Sequence, residues 1–180
     1  MFRRQVAPGI ELRMFSFGDA ETVYAVADRN RARLREWLPW VDKTESADDV
    51  RDFITRAIAQ MEANQGPTAG IWCGDELAGC IGCHPIDWAN RNCSIGYWID
   101  EAYQGRGLVT QCCKALLAYL FEDLGLHRVE IRCATGNLRS CAIPRRLGFT
   151  GEGIVREGQW VNDRWVDLVV WSMLEEEWKA

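Results

Sequence analysis

The stretch that most restricts what this chain can fold into is YWIDEAYQGRGLVTQCCKA, Tyr97 to Ala115. It opens as an apolar strand, turns, and becomes a loop carrying Gly105 and Gly107. From about Thr110 it reads as an amphipathic helix. Such a loop aims several backbone N–H groups at one point, where the dipole of the following helix also favours negative charge. Two residues without a Cβ let a ligand reach the main chain. A diphosphate fits that description; a metal or a nucleic acid does not. The same G-x-G spacing also makes a plain tight turn, so spacing by itself leaves both readings open.

The rest of the chain is consistent with one domain over residues 1–180, with no repeat, linker or low-complexity tract. Ile10 to Phe15 alternates as a strand. Asp19 is placed to cap a helix with apolar positions Val23, Val26, Ala27 and Leu34. Pro39 then breaks the pattern. Ser46 caps a second helix whose apolar positions run from Val50 to Met61. Thr68–Cys73 and Glu76–Cys83 are strands joined by a tight turn at Gly74-Asp75, and Asn92–Ile99 follows as another. Gly96 inside that strand marks a bulge or a close backbone approach. A helix from Thr110 to about Leu124 ends at Gly125, and Arg128–Ala134 is a strand. A short helix begins at Asn137 or Ser140 and stops before Gly148. Thr150–Arg156 and Trp165–Met173 pair across a turn at Val161–Arg164. This order predicts an α/β fold with a mixed sheet and helices on both faces.

A formal net charge of −5 argues against a nucleic-acid partner and would suit a cationic amine. No apolar run approaches the roughly 20 residues that span a membrane, and the N-terminus has no apolar core of a signal peptide. The cytoplasm is the expected location, with no membrane partner. Eight cysteines are then read as reduced thiols. Cys80 and Cys83 form a C-x-x-C within a strand, where residues three apart face opposite ways, so no metal site is expected.

Gln104–Val109, QGRGLV, resembles the Q/R-x-x-G-x-G/A phosphate loop of the GNAT acetyltransferases, with Val109 where Gly or Ala is usual. The resemblance extends through ELRMFSFGDAE, LREWLPWVD, IGYWIDEAYQGRGLVTQCC and GNLRSCAIPRRLGFTGEG to the terminal strand. Within the superfamily the chain is most similar to the ribosomal-protein serine N-acetyltransferases, the RimJ/RimL branch. That implies the GNAT fold, a mostly antiparallel mixed sheet whose two central strands splay apart, and acetyl-CoA (coenzyme A) as cofactor. It also implies acetyl transfer to an α-amine at a protein N-terminus, by direct attack in a ternary complex.

Acetyl transfer from a thioester to an amine requires an anchored cofactor, a polarised thioester oxygen, a deprotonated amine and a proton for the departing thiolate. By the resemblance, Gln104, Gly105, Arg106, Gly107, Leu108, Val109 and Thr110 hold the pyrophosphate. Tyr97, Trp98 and Ile99 lie along the acyl-pantetheine arm, with an amide near Ile99 facing the thioester oxygen. Asn137 contacts the cofactor, and Ser140 is the proton donor. As residues alone, Asn137 and Ser140 also read as helix caps. Pro144 has no N–H, so either the helix kinks or the Ser140 carbonyl is left free.

For the proton acceptor, the resemblance implies a glutamate at the position of Gln159, which cannot act as a base. Glu157 lies two residues earlier, and in an extended strand it would share Gln159's face. Asp167 and Asp100 are further carboxylates, read more readily as solvated surface groups. An α-amine is roughly one-third free base at pH 7.5, whereas a lysine amine is about 0.1% free. A weak base therefore points to an α-amine acceptor. Nine tryptophans are present; Trp37, Trp40 and Trp160 border the acceptor cleft of the related fold, while Trp98 and Trp171 read as core. Surface tryptophans could also support a homodimer. His84 and His127 are assigned no role. Two rival readings stay open: acetylation of a small amine or an aminoacyl antibiotic or nucleotide, and a non-catalytic acyl-CoA-binding module.

Overall fold

The computed structural model describes residues 2–179. Strands β1 (Arg3–Ala7) and β2 (Ile10–Met14) form a hairpin that turns at Gly9, whose φ is +73°. Three helices follow: α1 (Ala20–Arg29), α2 (Arg31–Leu34) and α3 (Ala47–Glu62). Next come β3 (Thr68–Cys73), β4 (Glu76–Cys83) and β5 (Asn92–Ile99), then α4 (Leu108–Ala118) and β6 (Arg128–Ala134). The chain ends with α5 (Leu138–Leu147), β7 (Thr150–Val161), β8 (Arg164–Leu174) and α6 (Glu175–Lys179). One eight-stranded sheet has the order β1-β2-β3-β4-β5-β6-β8-β7.

Strand alternation divides the core in two. Phe15, Trp72, Leu77 and Cys80 pack with Val23 and Val26 of α1 and Val50 and Ile54 of α3. Leu12, Ile71, Ile81, Ile95, Val129 and Ile131 pack with Cys112, Cys113, Leu116 and Leu117 of α4 on the other side. Cys80 and Cys83 fall in different clusters, as residues three apart on a strand should. Seven of the eight cysteines are buried, so they act as small packing residues.

The helix ends follow local chemistry. The Ser46 side chain accepts from Asp49 N, and the Asp49 carboxylate accepts from Ser46 N, a reciprocal capping box for α3. Asp19 differs from its expected role. Its carboxylate turns back to accept from Ser16 N and Oγ at 2.7 and 2.8 Å, so it steadies the turn before α1 without capping α1 by its side chain. Leu34 is buried, but in the separate helix α2. Helix α4 starts two residues earlier than Thr110, because Gly107 in the left-handed region serves as its N-cap.

All neighbouring strands are antiparallel except β5 and β6. That parallel pairing runs only from Asn92–Arg128 to Ile95–Ile131. Beyond it β5 stays bonded to β4 out to Ile99, and β6 stays bonded to β8 out to Ala134. The two central strands therefore part, leaving a wedge between Gly96–Ile99 and Arg132–Ala134. No helix among the described residues is long and apolar enough to cross a membrane.

Candidate active site

The loop after β5 is held from below by Asp100. This carboxylate is buried, which corrects its reading as a solvated surface group. It accepts from the Arg29 guanidinium, from Asn30 Nδ2 at 2.9 Å and from Ala102 N at 3.3 Å. Burial pushes its pKa up, but the bonds from Arg29, Asn30 and Ala102 outweigh burial and hold it below the ordinary carboxylate value. Its stabilisation is therefore present at neutral pH and is lost as pH falls through its folded pKa. Asp100→Ala removes the acceptor shared by Arg29, the buried Asn30 side chain and the Ala102 amide, and is expected to cost about 1–3 kcal/mol of stability, read from urea unfolding. A cost below about 0.5 kcal/mol would show that Asp100 does not anchor the loop.

From this anchor the chain passes through Gln104 to Gly105 (φ +75°) and Gly107 (φ +72°). A Cβ on Gly105 would meet no protein atom within 4 Å, so the space over it is open. Gln104 N donates to Glu101 O, and the next amide with a protein acceptor is Gln111 N, bonded to Gly107 O at 3.1 Å. Among the described residues the amides of Gly105, Arg106, Gly107, Leu108, Val109 and Thr110 have no acceptor. The Leu108 and Val109 side chains are buried in the core, so only their main chain faces the loop.

Two arginines of α5 lie against this cluster of donors. Arg139 Nη1 donates to Gln104 Oε1 at 2.7 Å, and Arg146 Nη1 donates to Thr110 Oγ1 at 3.1 Å. Arg106 instead folds under the loop, donating to Ala102 O at 2.9 Å and stacking 5.0 Å from the Tyr103 ring centre. Six unpaired amides, a helix N-terminus and two guanidinium groups are the donor set a diphosphate requires.

The wedge begins beside the loop. Ser94 O accepts from His84 N, and Asp100 N donates to Ala78 O, so even-numbered residues of β5 bond to β4. The main-chain groups of Tyr97 and Ile99 therefore face the wedge, while those of Trp98 do not. Arg33 Nη2 donates to the Ile99 carbonyl at 2.5 Å. The amides of Tyr97 and Ile99 and the carbonyl of Tyr97 remain on the wedge side, beyond the last β6 pair. Gly96 carries no bulge in its pairing with Gly82, and a Cβ there would meet only His84, at 3.7 Å.

Ser140 bridges the two walls. Its Oγ lies 3.3 Å from Cys133 Sγ on β6 and 3.5 Å from Tyr97 Oη on β5. Asn137 is the N-cap of α5, its Oδ1 accepting from Ser140 N at 3.1 Å. Ser140 itself stands inside the first turn. α5 continues unbroken through Pro144. Burial pushes the Cys133 thiol up to about 12, so a thiolate nucleophile is not available there at neutral pH.

The acceptor side is only partly gathered. Trp37 lies against Gly136, where a Cβ would sit 3.3 Å from its Cη2. The β7–β8 hairpin tip closes over this segment, through Asn162 to Arg35 O and Arg164 Nη2 to Glu36 O, the latter at 3.1 Å. Trp40 packs on half-buried Trp98 at 6.0 Å, while Trp171 is in the core. Gln159 is half-buried opposite Val166. Trp160 is exposed and packs edge-on to Trp165 at 5.2 Å, on the strand face opposite Gln159.

Strand alternation does not place Glu157 on Gln159's face. The register shifts between Val155 and Gln159, and Glu157 sits in that bulge with φ +49°. Its amide donates to Asp167 Oδ1 at 2.7 Å. Arg33, Arg139, Arg146 and the Tyr97 phenol were not singled out in the sequence; their contacts span 35 to 66 positions, beyond any local pattern. Among the described residues no group of three or more His, Cys, Asp or Glu is placed to hold a metal ion.

The acetyltransferase (GNAT) domain model matches residues 10–150. "Putative ribosomal N-acetyltransferase YdaF" of Bacillus subtilis (strain 168) is 38% identical over 100% of this chain and 99% of its own. The "Ribosomal-protein-serine acetyltransferase" of Escherichia coli (strain K12) is 26% identical over 94% of this chain and 95% of its own. A solved structure of a RimL ribosomal L7/L12 alpha-N-protein acetyltransferase in complex with coenzyme A superposes with a TM-score of 0.92. It is 26% identical, covering 96% of this chain and 98% of that one.

Proposed function

This chain belongs to the GNAT acetyltransferase family as an acetyl-CoA-dependent N-acetyltransferase, and we propose that its acceptor is the α-amine of a protein N-terminus, of the ribosomal-protein-serine kind. The observation that carries the choice of amine is the lack of a dedicated base. Gln159 has no acidic group to take a proton, Asp100 is committed to Arg29 and Asn30, and Asp167 accepts from the Glu157 amide at the bulge. An α-amine, roughly one-third deprotonated at pH 7.5, needs little help; a lysine amine needs a great deal. The name of the coenzyme A complex, an alpha-N-protein acetyltransferase, supports the same choice, and those of the two relatives support a ribosomal acceptor.

Acetyl-CoA supplies an acyl group already activated as a thioester. The loop amides from Gly105 to Thr110, with Arg139 and Arg146, bind its diphosphate. The wedge-facing main chain of Tyr97 and Ile99 orients the acyl arm, and an amide there donates to the thioester oxygen as negative charge develops on it. Ser140 Oγ gives a proton to the departing sulfur, and water accepts the amine proton. Trp37, Trp40 and Gln159 form the surfaces along which the acceptor peptide lies, while Trp160 faces away from Gln159 on the other side of its strand. The high pKa of Cys133 favours direct attack over an acyl-cysteine route.

The test is a pair of matched peptides, one with a free N-terminal serine and one blocked there with an internal lysine. The expected kcat/KM is at least about tenfold higher on the free N-terminus. A higher value on the lysine peptide would overturn this reading.

A further inference from the structure

In an uninterrupted α-helix the amide of residue 144 donates to the carbonyl of residue 140. Pro144 has no such amide, and a proline ring crowds the carbonyl four residues back, here that of Ser140. Yet α5 runs from Leu138 to Leu147 without a break. The Ser140 carbonyl finds a donor on another element. Tyr97 Oη, reaching across from β5, donates to Ser140 O at 3.2 Å. The same phenol oxygen lies 3.5 Å from Ser140 Oγ, which also contacts Cys133 Sγ at 3.3 Å. One tyrosine hydroxyl thus touches both the main chain and the side chain of Ser140. Burial, with Cys133 and Cys113 nearby, pushes the phenol's pKa up, so it stays a donor throughout the working pH range.

We propose that Tyr97 is a positioning residue: its phenol replaces the helical hydrogen bond that Pro144 cannot make, and so sets where Ser140 Oγ stands between the splayed strands. The role is distinct from that of the Tyr97 main chain, which faces the wedge, and it rests on the reading of Ser140 as proton donor. Tyr97 and Pro144 are coupled through a single carbonyl. Removing the phenol should matter only while residue 144 lacks an amide.

The experiment is a double-mutant cycle of Tyr97→Phe and Pro144→Ala, with Ser140→Ala in parallel, reading kcat, KM for acetyl-CoA and thermal midpoint. Tyr97→Phe is expected to lower kcat roughly tenfold with KM for acetyl-CoA changed less than about twofold. The double variant should regain most of that loss, because an alanine at position 144 restores the amide that bonds to Ser140 O. A kcat loss of equal size in both backgrounds, or none in either, overturns the proposal. If Tyr97→Phe alone does not fold, rescue of folding by Pro144→Ala supports it and failure of rescue overturns it. If Ser140→Ala turns over as fast as the unmodified enzyme, the proton-donor reading fails. The thermal midpoints of the cycle then still decide whether the phenol stands in for the missing amide.

Discussion

Ser140→Ala is expected to lower kcat by roughly 10²-fold while the dissociation constant for coenzyme A changes less than about threefold. The reasoning separates chemistry from packing. Asn137 caps α5, so Ser140 is free of that duty, and alanine inside a first turn is at least as good a helix former. The lost hydroxyl has only a thiol at 3.3 Å and a phenol at 3.5 Å as partners, so little stability goes with it. What it touches is the wedge itself, between Tyr97 on one wall and Cys133 on the other. A large fall in turnover with an unchanged thermal midpoint and unchanged coenzyme A affinity is the pattern of a group acting in the transition state. Turnover within about twofold of the unmodified enzyme would reduce Ser140 to a packing residue.

The sheet's centre could be read from the chain because β3, β4, β5 and β6 carry strong apolar patterns between turn residues. Their limits fall where the pattern ends, and Gly74-Asp75 makes the expected turn. β1 is not legible in RRQVA, which offers no alternation; its pairing comes from β2, helped by the Arg3–Glu11 ion pair. The loop after β5 was legible from Gly105 and Gly107. Its two glycines adopt left-handed conformations that other residues resist. The bulge at Glu157 has its only local signal in Gly158 beside it, while Gly153 accompanies a separate register shift after Gly151. Asp100 looked like a surface carboxylate because its partners, Arg29 and Asn30, lie 70 or more positions away. Tyr97 and Ser140 are 43 positions apart, and nothing in Pro144 says which group will meet the carbonyl it leaves over.

Gly107→Val is the second substitution with a large expected effect. Gly107 caps α4 at φ +72°, a conformation that a β-branched residue adopts only under strain. Relaxing to negative φ swings the amides of residues 107–109 out of alignment. The Cβ itself has room there, the nearest protein atom being Gln111 Nε2 at 3.9 Å. The fold should therefore lose only about 1–2 kcal/mol, while coenzyme A affinity falls roughly ten- to a hundredfold.

Calorimetric titration of coenzyme A into the unmodified protein and into Gly107→Val, side by side, tests most directly whether the amides of Gly105–Thr110 hold the diphosphate. Saturable one-to-one binding by the first, weakened at least about tenfold in the second, is the predicted result. Equal affinity in both proteins, or no heat of binding in the unmodified one, would contradict it.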